Sequence, residues 1–118
     1  MTNVLVIEDD ELIRESILNI LNSRGYTAIG AENGYVGLQL ANEIVPDLIL
    51  CDIRMPGLNG YEVLRTIRQN TVTATIPFVF LSAETNQVLE GQFQGANSFL
   101  KKPFTTAELL TAIAPYLK

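Results

Sequence analysis

Two kinds of hydrophobic pattern alternate along this chain. Short unbroken apolar runs occur at Val4-Leu5-Val6-Ile7, Leu48-Ile49-Leu50-Cys51 and Pro77-Phe78-Val79-Phe80-Leu81. Runs this short, bounded by polar or turn residues, predict strands buried on both faces. Between them the apolar positions recur at helical spacing. Ile13, Ile17, Ile20 and Leu21 form one such face, with Gly25 as its stop; Val36, Leu40 and Ile44 form a second, begun at the Asn33-Gly34 turn and ended by Pro46. Gly60, Val63, Leu64 and Ile67 define a third. Residues 84–95 form the weakest helical pattern, with Val88, Leu89 and Phe93 around an internal Gly91 that costs ~1 kcal/mol relative to alanine, and this segment is expected to be mobile. The last helix carries Leu109, Leu110, Ile113 and Leu117 behind a capping box at Thr105-Thr106-Ala107-Glu108, with Pro115 kinking or fraying its end. Thr27–Ala31 and Ser98–Lys101 are weaker, shorter strand patterns, and 70–75 is a polar loop.

Five strand–helix units in strict alternation predict an α/β fold, a five-stranded parallel sheet with helices on both faces. The first, third and fourth strands have continuous apolar runs, and the second and fifth do not. Placing the weaker pair at the edges gives order 2-1-3-4-5, the flavodoxin-like (βα)5 arrangement.

The 118 residues fit one domain, and 47% apolar content makes it globular rather than disordered. No apolar run approaches the ~20 residues of a membrane span, and the N-terminus lacks a signal-peptide pattern. The single cysteine, Cys51, lies in a buried run, as in a protein of the reducing cytoplasm. A net charge of −5 argues against direct nucleic-acid binding. The absence of histidine excludes a serine–histidine triad, an imidazole metal site and a phosphohistidine within these residues.

In such a sheet ligands bind beyond the carboxyl ends of the strands, at the switch point between strands 1 and 3. Strand 1 delivers Glu8 and Asp9 there, strand 3 delivers Asp52, strand 4 Ser82 and strand 5 Lys102. Three carboxylates at ~4 Å repel by about 4 kcal/mol per pair at an effective dielectric of ~20. One lysine neutralises one charge. A hard dication relieves the rest, and oxygen ligands with open water positions suit Mg2+. A central carboxylate, Asp52, can attack phosphorus to give an aspartyl phosphate, with the metal, Lys102 and Ser82 receiving the phosphoryl oxygens. Glu8 and Asp9, sharing one strand end, suit the metal better.

These residues resemble the receiver domain of two-component response regulators. The matching pieces are Val6-Ile7-Glu8-Asp9-Asp10, then Pro46 to Asp52 with Met55-Pro56-Gly57 and Gly60, then Phe80-Leu81-Ser82-Ala83, and Phe99 to Phe104. The resemblance spans residues 3 to 118 and implies a single receiver domain over 1–118. It implies a phosphoacceptor role for Asp52 and metal ligation by Glu8, Asp9, Asp52 and the backbone carbonyl of Arg54. It makes Ser82 the switch hydroxyl, Lys102 the phosphate-contacting lysine before a cis proline, and Phe99 the aromatic switch residue. Serine stands where threonine is commoner, and Phe99 where tyrosine is. Ala96-Asn97-Ser98 lacks the aspartates of many DNA-binding relatives, and no arginine follows Thr105, which departs from their charged dimer surface.

The implied function is a Mg2+-dependent signalling switch, not a turnover enzyme. A sensor histidine kinase or phosphotransfer protein phosphorylates it. The surface of the fourth helix, fifth strand and fifth helix then changes to control an unidentified output partner. The start at Met1 and the stop after the last helix favour a stand-alone regulator. Met55 and Tyr61 are expected to pack rather than act. A binding module without phosphorylation, an aspartyl-phosphate hydrolase and a flavin carrier are the rivals. The intact Asp9, Asp52, Ser82 and Lys102 weigh against the first. The second wants two aspartates one residue apart, which Asp52-Ile53-Arg54 lacks, and Glu8-Asp9-Asp10 would repel a flavin phosphate.

Overall fold

The computed structural model describes residues 2–83 and 95–117. Five strands, β1 (Asn3–Ile7), β2 (Thr27–Ala31), β3 (Leu48–Asp52), β4 (Phe78–Ser82) and β5 (Ser98–Lys101), form one parallel sheet in the order β2-β1-β3-β4-β5. This is the expected arrangement. The half-buried edge strands β2 and β5 flank the fully buried β3 and β4. Pro77 stands just outside β4; it has no N–H to give, but its carbonyl accepts from Ile49 at 2.9 Å. Helices α1 (Glu11–Ser23), α2 (Gly34–Ile44), α3 (Gly60–Gln69) and α4 (Thr106–Ile113) cover the sheet, and a 3-10 turn at Ala114–Tyr116 follows α4 at Pro115. The helix expected over 84–95, with its mobility, lies outside the described residues apart from Gly95.

Strand periodicity sorts the core into two layers. Leu5, Ile7, Ile49, Cys51, Phe78 and Phe80 face α2 and α3 with Val63, Leu64 and Ile67. Val4, Val6, Leu48, Leu50, Val79 and Leu81 face α1 and α4 with Ile17, Leu21, Leu109 and Ile113. Met55 is buried in the first layer and Tyr61 packs against it, as expected.

Helix α2 departs from its expected face. Its buried positions are Gly34, Gly37 and Ala41, while Val36 and Leu40 are partly buried at the flanks and Ile44 is half-buried. A β carbon at Gly37 would lie 2.5 Å from Ile7 Cδ1, so the bulk at this contact comes from the strand and the helix contributes a small residue.

The helix starts are explicit. Thr105 and Glu108 form the expected capping box on α4, and Asn59 with Glu62 forms a second on α3. Asn59→Ala removes the acceptor for the Glu62 N–H at 3.0 Å. It is expected to lower stability by about 1 kcal/mol, read as a lower urea midpoint at unchanged m-value.

Below α3, Arg68 ties the helix to two segments, 74–76 and 95–97, through three main-chain carbonyls and one side chain. It donates to the carbonyls of Gly95 (2.7 Å), Ala74 (3.1 Å) and Ile76 (2.6 Å) and to Asn97 Oδ1 (3.1 Å). Thr73 in the expected polar loop is buried and donates to the Ile67 carbonyl at 2.7 Å.

Candidate functional site

The carboxyl edge of the sheet gathers the polar residues because β1, β3, β4 and β5 all end there, in register. Ile7 pairs with Cys51, Asp52 with Leu81 and Ser82 with Lys101. At the end of β1, Glu8 is fully buried and Asp9 and Asp10 are exposed. The Glu8 N–H donates to the Ala31 carbonyl at 3.0 Å, which continues the β1–β2 ladder by one residue. Asp10 caps α1 through its side chain, which accepts from the Ile13 N–H at 3.1 Å, and its own N–H donates to Glu8 Oε2 at 3.3 Å. The turn is therefore set by α1's N-cap on one side and the sheet on the other.

At the end of β5, the Lys102 N–H donates to the Ser82 carbonyl at 2.7 Å, and the Lys102–Pro103 peptide is cis, as the resemblance implied. Lys102 Nζ donates to Glu8 Oε1 at 2.5 Å and lies 3.2 Å from Asp52 Oδ1. Asp52 Oδ1 also accepts from the Ile53 N–H at 2.9 Å. One ammonium thus bridges two buried carboxylates.

Glu8, Asp9 and Asp52 each offer a carboxylate oxygen, all within 4.8 Å of one another. With Lys102 as the ammonium between them, these four groups sum to two negative charges when all are ionised. Burial raises the Glu8 carboxyl to about 7; the Lys102 hydrogen bond opposes the rise and the Asp52 charge adds to it. Burial also raises Asp52, against the pull of Lys102. Burial works against the charge on Lys102, but the Glu8 hydrogen bond and the Asp52 and Glu8 charges outweigh it and raise that group. Burial pushes the Cys51 thiol well up, so this neighbour of Asp52 is no thiolate and does not compete as a nucleophile.

Asp52, Arg54, Ser82, Ala83 and Lys102 line a cleft of about 170 Å³. The structure therefore brings together Glu8, Asp9, Asp52, Ser82, Lys102 and Arg54. Arg54 is exposed and Ser82 buried. Phe99 lies elsewhere, half-buried on β5, in register with Phe80 and packed against the α2–α3 layer of the core. The oxygen-only donor set, three carboxylates around a shared space, has the chemistry of a hard-dication site.

The sequence marks Gly60 as part of a motif but not the contact it makes, and it does not single out Arg14 at all. Gly60, the first residue of α3, brings its main chain against Asp52: a β carbon there would sit 2.4 Å from the Asp52 carbonyl oxygen. Arg14, in the first turn of α1, donates from Nη1 to the Glu8 carbonyl at 2.8 Å. A glycine placed between Asp52 and the next helical run is the only sequence signal for the first contact. The second leaves none, because a long side chain's acceptor depends on tertiary placement.

Comparison with known proteins matches residues 4–114 to the family described as response regulator receiver domain. Protein PilH of Pseudomonas aeruginosa is 34% identical over 116 residues, covering 96% of this chain and 95% of PilH. The solved structure of the Vibrio cholerae chemotaxis protein CheY4 superposes with a TM-score of 0.92 at 30% identity, covering 99% of both chains. The receiver domain of the sensor histidine kinase PA1611 from Pseudomonas aeruginosa superposes at 0.90 with 31% identity, covering 98% of this chain and 96% of that one; a magnesium ion is coordinated in its active site cleft. Other curated relatives are longer: this chain spans about half the length (54% and 50%) of two that are 36% identical to it.

Proposed function

Because this chain belongs to the response regulator receiver domain family, we propose that it is a magnesium-dependent switch phosphorylated on Asp52. The observation that carries the reading is Lys102 bridging Glu8 and Asp52 beside Asp9, in a cleft shared with Ser82.

Asp52 is the nucleophile. Its carboxylate is oriented by the Ile53 N–H and by Lys102. One carboxylate oxygen forms a bond to phosphorus as the donor's P–O or P–N bond breaks, and the leaving group takes the electron pair. Lys102 and the Ser82 hydroxyl receive the phosphoryl oxygens. Glu8, Asp9, Asp52 and the Arg54 main-chain carbonyl would hold Mg2+, which would neutralise the carboxylates and the incoming phosphoryl charge. The magnesium in the cleft of the PA1611 receiver supports a magnesium site here.

The chain carries out its own phosphoryl transfer and loss, and serves as a signal rather than a turnover enzyme. With no histidine in these 118 residues, the donor phosphohistidine lies outside them, on a sensor kinase or phosphotransfer protein. Phosphorylation draws Ser82 toward Asp52, Phe99 turns inward, and the surface around β5 and α4 is read by an output partner. The whole of 1–118 acts as one receiver domain in the cytoplasm. Among the described residues no helix is long and apolar enough to cross a membrane.

The test is incubation with Mg2+ and acetyl phosphate followed by intact mass. The native chain is expected to gain one phosphoryl group. Asp52→Asn and a chelator should each abolish the gain. Label surviving in Asp52→Asn, or none on the native chain while a known receiver labels alongside, would overturn the assignment.

A further inference from the structure

We propose that Arg14 is a positioning residue for the metal-binding turn: its guanidinium fixes the Glu8 main chain, and through it the placement of Glu8 and Asp9. The inference rests on the magnesium reading given under Proposed function and extends it to a residue that touches neither metal nor phosphoryl group.

Three observations converge on Arg14. First, β1 ends at Ile7 and β2 at Ala31, and Glu8 is fully buried one residue beyond. Its N–H is taken by the Ala31 carbonyl. Its carbonyl lies past the last paired residues of the ladder, where a buried acceptor needs another donor. Arg14 Nη1 supplies it at 2.8 Å. Second, the main chain that carries Arg14 is fixed. Its N–H donates to the Asp10 carbonyl at 2.9 Å, the first helical bond from the residue that caps α1. Third, a glycine stands beside its stem. A β carbon on Gly30 of the edge strand would lie 3.1 Å from Arg14 Cδ and 3.3 Å from Cγ, so the side chain runs against bare backbone on its way to Glu8.

The cations acting on this turn divide their roles. Lys102 is the one that acts on the Glu8 carboxyl. Arg14 binds the carbonyl on the other side of the same residue, so its effect is on where the acidic pair stands. Outer partners that orient ligands change metal affinity by about 10–100-fold when removed.

Arg14→Met keeps the stem against Gly30 and removes the donor. Mg2+ would be titrated into the native chain, Arg14→Met and the exposed-neighbour variant Glu15→Ala, with amide chemical shifts as the readout and folding checked by circular dichroism. Arg14→Met is expected to raise the Mg2+ dissociation constant about tenfold, with Glu15→Ala within twofold of native. The half-saturating Mg2+ for acetyl phosphate labelling should shift alike, and the maximal rate should return at saturating Mg2+, a split that loss of fold would not give. Arg14→Leu, should Arg14→Met fold poorly, also lacks the donor and carries the same expectation. Native-like affinity in the Arg14 variant, or equal weakening in Glu15→Ala, overturns the inference while the magnesium reading stands. No Mg2+ binding by the native chain overturns both.

Discussion

Replacing Gly60 with alanine is expected to destabilise the fold by about 3 kcal/mol or more, the upper range for overpacking, and to disable the cleft at the same time. Two effects of opposite sign meet at this position. Gly60 opens α3, and alanine is intrinsically the better helix former by about 1 kcal/mol. Against that, the added β carbon would stand 2.4 Å from the Asp52 carbonyl oxygen, 2.8 Å from the Ile53 α carbon and 3.2 Å from the Asp52 carbonyl carbon. All three are backbone atoms, so no side chain can rotate away. Relief requires moving α3 off the end of β3, which also breaks the hydrogen bond from the Gly60 N–H to the Ile53 carbonyl at 2.8 Å. Because the clash is with the main chain of Asp52 itself, phosphorylation should fail along with stability. Thermal unfolding should show a midpoint lower by about 10 °C or more. An unchanged or higher midpoint would show that helix propensity wins and that the contact relaxes freely.

Without divalent cation, stability is expected to fall by roughly 3 kcal/mol as pH rises from about 4.5 to 7, at 1.36 kcal/mol per pH unit of displacement. The sign follows from Glu8. Its folded value, about 7, lies above its ordinary 4.5, so in this window the folded chain holds a proton that the unfolded chain has lost. That contribution is fully present below 4.5 and is lost as pH rises through 7. Asp52 is shifted the same way. Lys102 is raised from a much higher ordinary value and stays charged throughout, so it does not reverse the slope. Urea midpoints between pH 4.5 and 7.5 in chelator should therefore decline, and Glu8→Gln should flatten the decline. Magnesium binds the ionised carboxylates, so millimolar Mg2+ should restore stability at the neutral end and do little at the acidic end. A midpoint that climbs toward neutrality in chelator would refute this account of the buried pair.

The sequence made the sheet legible because its central strands are buried on both faces and so read as unbroken apolar runs. Strand order followed from the weaker Thr27–Ala31 and Ser98–Lys101, which are half-buried at the edges. The gathering of Glu8, Asp52, Ser82 and Lys102 was legible for the same reason, since each lies at or just beyond a strand end and a parallel sheet puts all those ends on one side. Helix α2 was less legible. Its closest approach runs through Gly37 and Ala41, which carry little hydrophobic signal, and a search for large apolar residues selects Val36 and Leu40 beside them. The separation of Glu8 from Asp9 was also hidden. Adjacent acidic residues look alike in sequence, but the strand buries the first against Lys102 and leaves the second exposed. Gly60 stood out as a motif position without showing why a side chain is forbidden there, and Arg14 was not singled out because the acceptor of a long side chain depends on the folded geometry.

The alternating side chains of the central strands have a consequence for how such a sequence can drift. Odd-numbered positions of β1 and β3 look toward α2 and α3, and even-numbered ones toward α1 and α4. A volume change at Ile49 is met by neighbours on one side of the sheet, and a change at Leu50 by a separate set on the other. Between the two sets stands the hydrogen-bonded backbone, which responds little to side-chain volume. Two lineages could therefore repack opposite sides independently, and a chimera exchanging only one side's residues would inherit a complete, already compatible interior half.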